Sequence, residues 1–300
     1  MSNAPFWRGV VPAITTPFTT AGAVDHDFLG QHARKLVDAG CTGIVPLGSL
    51  GESATLAFDE KLAILRTLVE ALNGRAPVIA GIAALSTAEA VKLARSAEAG
   101  GAGGLMVLPP YVYSSDWHEM RAHVTAVMEA TSLPCILYNN PIAYKTDFLP
   151  EHIAELAAAY PRLQAVKESS CDVRRFAALR ALLGDRLELL VGMDDALVEG
   201  VSMGAVGWIA GLVNAFPRES VRLYQLAREG SGKAMDLYRW FLPLLRMDTV
   251  PKFVQLIKLA QSQVDLGSER VRAPRLPVEG REREVALQVI RDALQKRPKI

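Results

Sequence analysis

The sequence predicts an α/β fold, a (β/α)8 TIM barrel with a C-terminal three-helix extension, and three observations carry that prediction. Eight short runs rich in Val, Ile and Leu recur, each is followed by a longer segment of helical periodicity, and the strand-like runs stop near residue 230. The runs span residues 9–16, 43–48, 78–82, 105–108, 135–138, 164–167, 187–191 and 206–209. They are continuously apolar rather than alternating, as strands of a parallel sheet covered on both faces are. A doubly wound open sheet is the competing architecture. It would want a glycine-rich phosphate turn after the first strand, and the stretch TTPFTTAG is not one.

The intervening helices are expected at 25–39, 59–72, 87–99, 116–130, 150–159, 173–183, 194–203 and 218–228. Several open on an Asp or Thr whose side-chain oxygen caps free amide groups, and several end near Gly40, Gly100, Gly184 or Gly230. Three more helices are expected at 234–246, 252–264 and 282–295, separated by Pro243, Pro251 and the connector VRAPRLPVEG. Residues 1–230 are accordingly the barrel and 231–300 the helical extension, and a barrel of ~250 residues with such an appendix accounts for 300 residues.

Half of the residues are hydrophobic and 22% are charged, which provides for a large core and not for disorder. A formal charge of +1 gives no electrostatic case for nucleic acid or an anionic membrane as partner. Cys41, Cys135 and Cys171 fit neither a paired framework nor a zinc spacing. The start MSNAPFWRG lacks a basic region followed by an apolar run, and no apolar stretch reaches the ~20 residues of a membrane span. A cytoplasmic chain is the expectation.

In a barrel the chemistry sits at the carboxyl ends of the strands. Lys167, in LQAVKESS, is the only Lys in an apolar strand. A plain reading has it reach solvent or pair with Glu168. A buried Lys instead loses part of the solvation that sets its usual pKa of ~10.4, which favours the neutral amine that attacks a carbonyl or imine carbon. The second strand ends in PLGSLGES, where the turn Gly48, Ser49, Leu50, Gly51 offers backbone N–H groups to a carboxylate and Ser49 adds a hydroxyl. Glu52 either joins the site or braces that turn. The fifth strand ends in CILYNNP, and Tyr138 there is either a proton carrier near an imine or a buried ring with a wet hydroxyl. Asn139, Asn140 and Pro141 are ordinary turn residues after a strand.

These segments, in order, are VPAITTPF, GSLGES, LPPYVY, ILYNNP, AVKES and GMDD, and with them the chain resembles the dihydrodipicolinate synthase and N-acetylneuraminate lyase superfamily along nearly its whole length. The resemblance implies a lysine Schiff base with a small 2-keto or cyclic-imine acid, no metal or organic cofactor, and a homodimer or homotetramer. It assigns imine formation to Lys167, proton transfer to Tyr138, and the hydroxyl of the turn to Ser49. The substrate would meet Gly48, Ser49, Leu50, Asn140 and the backbone carbonyl of Ile209.

Departures from the family pattern shape the expected substrate. Synthases of dihydrodipicolinate carry an Arg after the Tyr-Asn-x-Pro motif to hold the carboxylate of their amino-aldehyde, where this chain has Ala143. They also use a second Tyr from a partner chain, aligned here with Val112, with Tyr111 or Tyr113 as substitutes, and Leu50 replaces the second hydroxyl of the turn. Lysine biosynthesis is therefore expected to fit poorly. The segments YNNPIAYKTD, KESSCDVRRF and GWIAGLVNAFPRE resemble deaminases of 1-pyrroline-4-hydroxy-2-carboxylate, and the expectation is a deaminase of hydroxyproline breakdown releasing ammonia and 2-oxoglutarate semialdehyde. The alternatives are a class I pyruvate-dependent aldolase or lyase acting on a 2-keto-3-deoxy sugar acid or sialate-like substrate, and a non-catalytic keto-acid-binding protein.

Overall fold

Seven parallel strands form the sheet of the computed structural model, which describes residues 7–110 and 116–300. They are β1 (Gly9–Pro12), β2 (Ile79–Ile82), β3 (Gly104–Val107), β4 (Cys135–Asn139), β5 (Leu163–Glu168), β6 (Glu188–Val191) and β7 (Gly207–Ala210). Each pairs with its sequence neighbour from β2 to β7, and β7 returns to β1. The expected strand at 43–48 is reduced to bridges between Ala13 and Val45 and between Ile44 and Val78. Val45 N–H donates to the Pro12 carbonyl, and Ile79 N–H to the Ile44 carbonyl, both at 2.8 Å. This short segment spans the gap between β1 and β2, and the eighth position of the barrel is filled with too few paired residues to count as a strand.

Side chains of the strands divide by parity between two layers. Ile136 and Tyr138 of β4, Ala165 of β5 and Ile209 of β7 pack in an inner cluster with Val11, Ile79 and Leu190. Their neighbours Cys135, Leu137, Val166 and Trp208 belong to the outer layer, against the helices. Burial on both faces is why the strands read as unbroken apolar runs.

The expected helices form with small boundary changes. Asp25 caps His26–Asp38 by accepting from Phe28 N–H, Ser86 caps Thr87–Ala99 by accepting from Glu89 N–H, and Asp116 caps Trp117–Glu129. The expected helix 194–203 is a 3-10 turn, Asp194–Ala196, followed by the short helix Leu197–Ser202. Of the expected turn residues, Asn139 ends β4, Asn140 is a helix cap, and Pro141 opens the single helical turn Pro141–Tyr144. The extension consists of Lys233–Leu245, Phe253–Ser262 and Gly280–Gln295, and Pro243 lies inside the first of these rather than after it. No helix among the described residues is long and apolar enough to cross a membrane.

One buried ion pair ties the extension to the barrel. Lys258 of Phe253–Ser262 donates to Glu52 and to the Arg270 carbonyl, the latter at 2.7 Å, and the second Glu52 oxygen accepts from Arg272 N–H at 3.0 Å. Both side chains are almost wholly buried, at 2% and 0% exposure. Losing one partner of such a pair leaves an uncompensated charge and costs about 3–5 kcal/mol. Lys258→Met is expected to lower the melting temperature by about 5–10 °C or more. Glu52→Gln combined with Lys258→Met should recover much of that loss. Additive melting shifts from the two single changes would show that the charges do not depend on each other.

Candidate active site

Lys167 occupies an inner-face position of β5, two residues after Ala165, with 6% of its surface exposed. Its neighbour Glu168 points the other way, as alternation demands. Glu168 accepts from Asn139 Nδ2 at 3.0 Å and from Ser170 N–H at 2.7 Å, and lies 4.0 Å from Arg175, so the pairing of Lys167 with Glu168 does not form. Burial pushes the Glu168 carboxyl up, and these donors oppose it.

Tyr138 is the register partner of Lys167 on the adjacent strand β4. Equal height and equal parity bring the two together, with Lys167 Nζ 4.2 Å from the centre of the Tyr138 ring. Gly192, just past β6, makes room for the lysine. A Cβ there would meet Lys167 Cε at 2.9 Å and Ser169 Oγ at 1.9 Å. The Tyr138 hydroxyl accepts from Asn140 Nδ2 at 3.0 Å.

The turn after the bridging segment faces this pair. Leu47 and Glu52 flank it in the left-handed region, with φ of 64° and 55°, a conformation that costs non-glycine residues of order 1–3 kcal/mol and persists when its surroundings hold it. Here the hold is the Glu52–Lys258 pair together with Thr16, whose hydroxyl donates to the Gly51 carbonyl at 2.6 Å. Glu52 thus braces the turn rather than joining the cavity. No described residue accepts from the N–H groups of Ser49 and Leu50, so both donors remain for a ligand.

A cavity of about 450 Å³ opens between these parts, within the range usual for small-molecule sites. All seven residues expected from the sequence line it: Gly48, Ser49, Leu50, Tyr138, Asn140, Lys167 and Ile209. Val112, Tyr111 and Tyr113 lie outside the described residues.

The structure adds residues to this wall that sequence spacing did not reveal. Tyr144 closes the helical turn Pro141–Tyr144 and shares a hydrogen bond between its hydroxyl and that of Ser49. Its ring meets that of Tyr138 edge to face, 5.8 Å between centres. The Asn-Pro pair is a helix-start signal, and following it would have put Tyr144 four residues beyond the cap. Behind the wall rather than in it, the buried Asp194 of GMDD accepts from Trp208 Nε1 at 2.9 Å and from Leu212 N–H at 2.7 Å, tying the end of β6 to the end of β7. Burial pushes its carboxyl up to about 6, against those donors and the charge of Lys167. Asp248 and Arg275 of the extension line the cavity itself. Desolvation and then the charge of Asp194 push the Asp248 carboxyl well up, against the pull of Lys167.

The profile of the Dihydrodipicolinate synthetase family matches residues 6–293. A 4-hydroxy-tetrahydrodipicolinate synthase of Rhizobium meliloti is 34% identical over 271 residues, 90% of this chain and 92% of that protein. One from Sorangium cellulosum is 39% identical over 221 residues, 73% of each chain. Among solved structures, a dihydrodipicolinate synthase from Acinetobacter baumannii complexed with pyruvate superimposes with a TM-score of 0.91 at 28% identity, covering 96% of this chain and 99% of that one.

These relatives overturn the expected deaminase. Proteins named as synthases perform condensation, and neither hydrolytic deamination nor a place in hydroxyproline breakdown accords with that chemistry. The deaminase reading rested on the segments YNNPIAYKTD, KESSCDVRRF and GWIAGLVNAFPRE, and lysine biosynthesis was set aside on a missing relay Tyr at Val112 and a missing Arg at Ala143. The fold brings a tyrosine hydroxyl to Ser49 from residue 144 and a guanidinium to the cavity from residue 275, positions that local alignment with the motif does not reach. The chain belongs to the dihydrodipicolinate synthetase family and is a Schiff-base enzyme of that superfamily.

Proposed function

We propose that the chain is a pyruvate-dependent class I aldolase that condenses pyruvate with an aldehyde, a reading supported by relatives named as synthases and by one solved in complex with pyruvate. The observation that carries this reading is the pairing of Lys167 and Tyr138 at equal height on neighbouring strands, in one cavity with the free N–H groups of the Ser49 turn.

The Lys167 amine adds to the C2 carbonyl of pyruvate, and loss of water gives the imine. The pyruvate carboxylate rests on the N–H groups of Ser49 and Leu50. Imine formation acidifies the methyl protons, one of which leaves to give the enamine. Tyr138 is the group beside the imine for that transfer, and the bonded hydroxyls of Ser49 and Tyr144 carry protons between the cavity and its mouth. The enamine carbon then attacks the aldehyde carbon, the new alkoxide takes a proton, and water adds to the regenerated imine carbon, which frees the 2-keto product and returns the Lys167 amine. The chain works as a homodimer or homotetramer, as the resemblance of its sequence implies.

The test is a two-substrate assay with pyruvate and aspartate semialdehyde. Equal consumption of both, with turnover within the ~1–1000 s⁻¹ usual for enzymes, is expected. Consumption of neither, with pyruvate still bound covalently, would refute the condensation.

A further inference from the structure

Imine formation expels the oxygen of C2, and that oxygen departs readily only when an acid protonates it to water. Tyr138 stands on the β4 side of Lys167, where it serves the methyl protons. The other side, toward β6 and β7, holds a second acid–base group. Asp248, at the end of the 3-10 turn Arg246–Asp248, lines the cavity together with Lys167. Two glycines of the same wall give up their side-chain space to these two groups. A Cβ at Gly192, just past β6, would meet Lys167 Cε at 2.9 Å, and a Cβ at Gly211, just past β7, would meet Asp248 Cγ at 2.7 Å.

Asp248 is paired electrostatically with Asp194 behind the wall. Asp194 accepts from Trp208 Nε1 at 2.9 Å, from Gly211 N–H at 3.1 Å and from Leu212 N–H at 2.7 Å. No described residue donates a hydrogen bond to the Asp248 carboxyl. Two neighbouring carboxyls resist ionising together, and the one with three donors is the better place for the negative charge. Asp248 therefore keeps the proton. Removal from water and then the charge of Asp194 both favour that state, against the pull of Lys167.

We propose that Asp248 is a catalytic acid–base residue that gives its proton to the hydroxyl leaving C2 of the Lys167 carbinolamine. This rests on the aldolase reading above and adds to it the group that makes and breaks the imine. The C2–O bond breaks, and water departs with that proton. The nitrogen lone pair closes the C=N bond, which leaves an iminium cation beside the Asp248 carboxylate. A cation formed away from water needs such a counter-charge. At release the carboxylate takes a proton from the water that attacks the product iminium. The C2–O bond re-forms, and the carboxylic acid is restored. One proton is given and one returned in each turnover.

The experiment measures how fast the pyruvate adduct forms, by rapid quenching into borohydride, and how much of it forms in the end. In Asp248→Asn, which keeps the shape and loses the acid, the rate should fall by ~100- to 10,000-fold, as for other acid–base groups. The final yield should stay near one adduct per chain. Asp248→Glu should restore part of the rate. Asp248→Ala, with space left open beside Gly211, should gain rate in proportion to added formate. A wild-type rate in Asp248→Asn, or a yield that falls as far as the rate, overturns the proposal. So does a loss that neither Asp248→Glu nor formate repairs, since that marks a structural role. Absence of a trapped adduct in the wild type is a different failure, that of the aldolase reading itself.

Discussion

Lys167→Ala is expected to remove the borohydride-trapped pyruvate adduct completely and to lower turnover by at least ~10⁴-fold, since it deletes the atom that forms the bond. In the wild type, one keto-acid mass per chain should appear on the peptide containing Lys167. Lys167→Arg should be as inactive as the alanine variant, because a guanidinium keeps the charge but is no amine nucleophile. That comparison separates nucleophilic from merely electrostatic action. The alanine variant should remain folded, since Lys167 packs against the Tyr138 ring and makes no ion pair among the described residues. An adduct carried by Lys145 or Lys258 in the wild type would refute the assignment.

Tyr138→Phe is expected to lower kcat by ~100- to 10,000-fold, the usual loss for an acid–base group, while the pyruvate adduct still forms. The substitution keeps the ring on which Lys167 Nζ rests and removes only the hydroxyl that accepts from Asn140. Binding of pyruvate should therefore change little and proton transfer a great deal. Deuterium exchange from the methyl group of pyruvate gives an independent reading, because it reports enamine formation without an acceptor. It should slow in parallel with kcat. If exchange keeps its wild-type rate while kcat falls, Tyr138 acts after the enamine, on the aldehyde, and the step assigned to it is wrong.

Much of the barrel is legible in the sequence because its determinants are local. Strands buried on both faces must be apolar throughout, and helix starts must satisfy free N–H groups, so both leave marks within a few residues, as at Asp25, Ser86 and Asp116. The expected strand at 43–48 failed for a related reason. Its apolar residues are equally well buried when only Ile44 and Val45 pair with their neighbours, and composition does not count hydrogen bonds.

From its sequence alone this protein declared its class of fold, its candidate lysine and tyrosine, and the turn that faces them, because the first two lie at strand ends that periodicity locates and the turn follows an apolar run. Only the tertiary structure decided what surrounds them. Tyr144 reaches Ser49 because Asn140 and Pro141 wind one helical turn at the mouth of β4. Asp248 and Arg275 reach the cavity because the extension folds back over the barrel, anchored where Lys258 meets Glu52. Contacts between residues 206 positions apart leave no periodic trace in a chain. They form because burying a charge requires a partner of opposite sign, wherever in the sequence that partner stands.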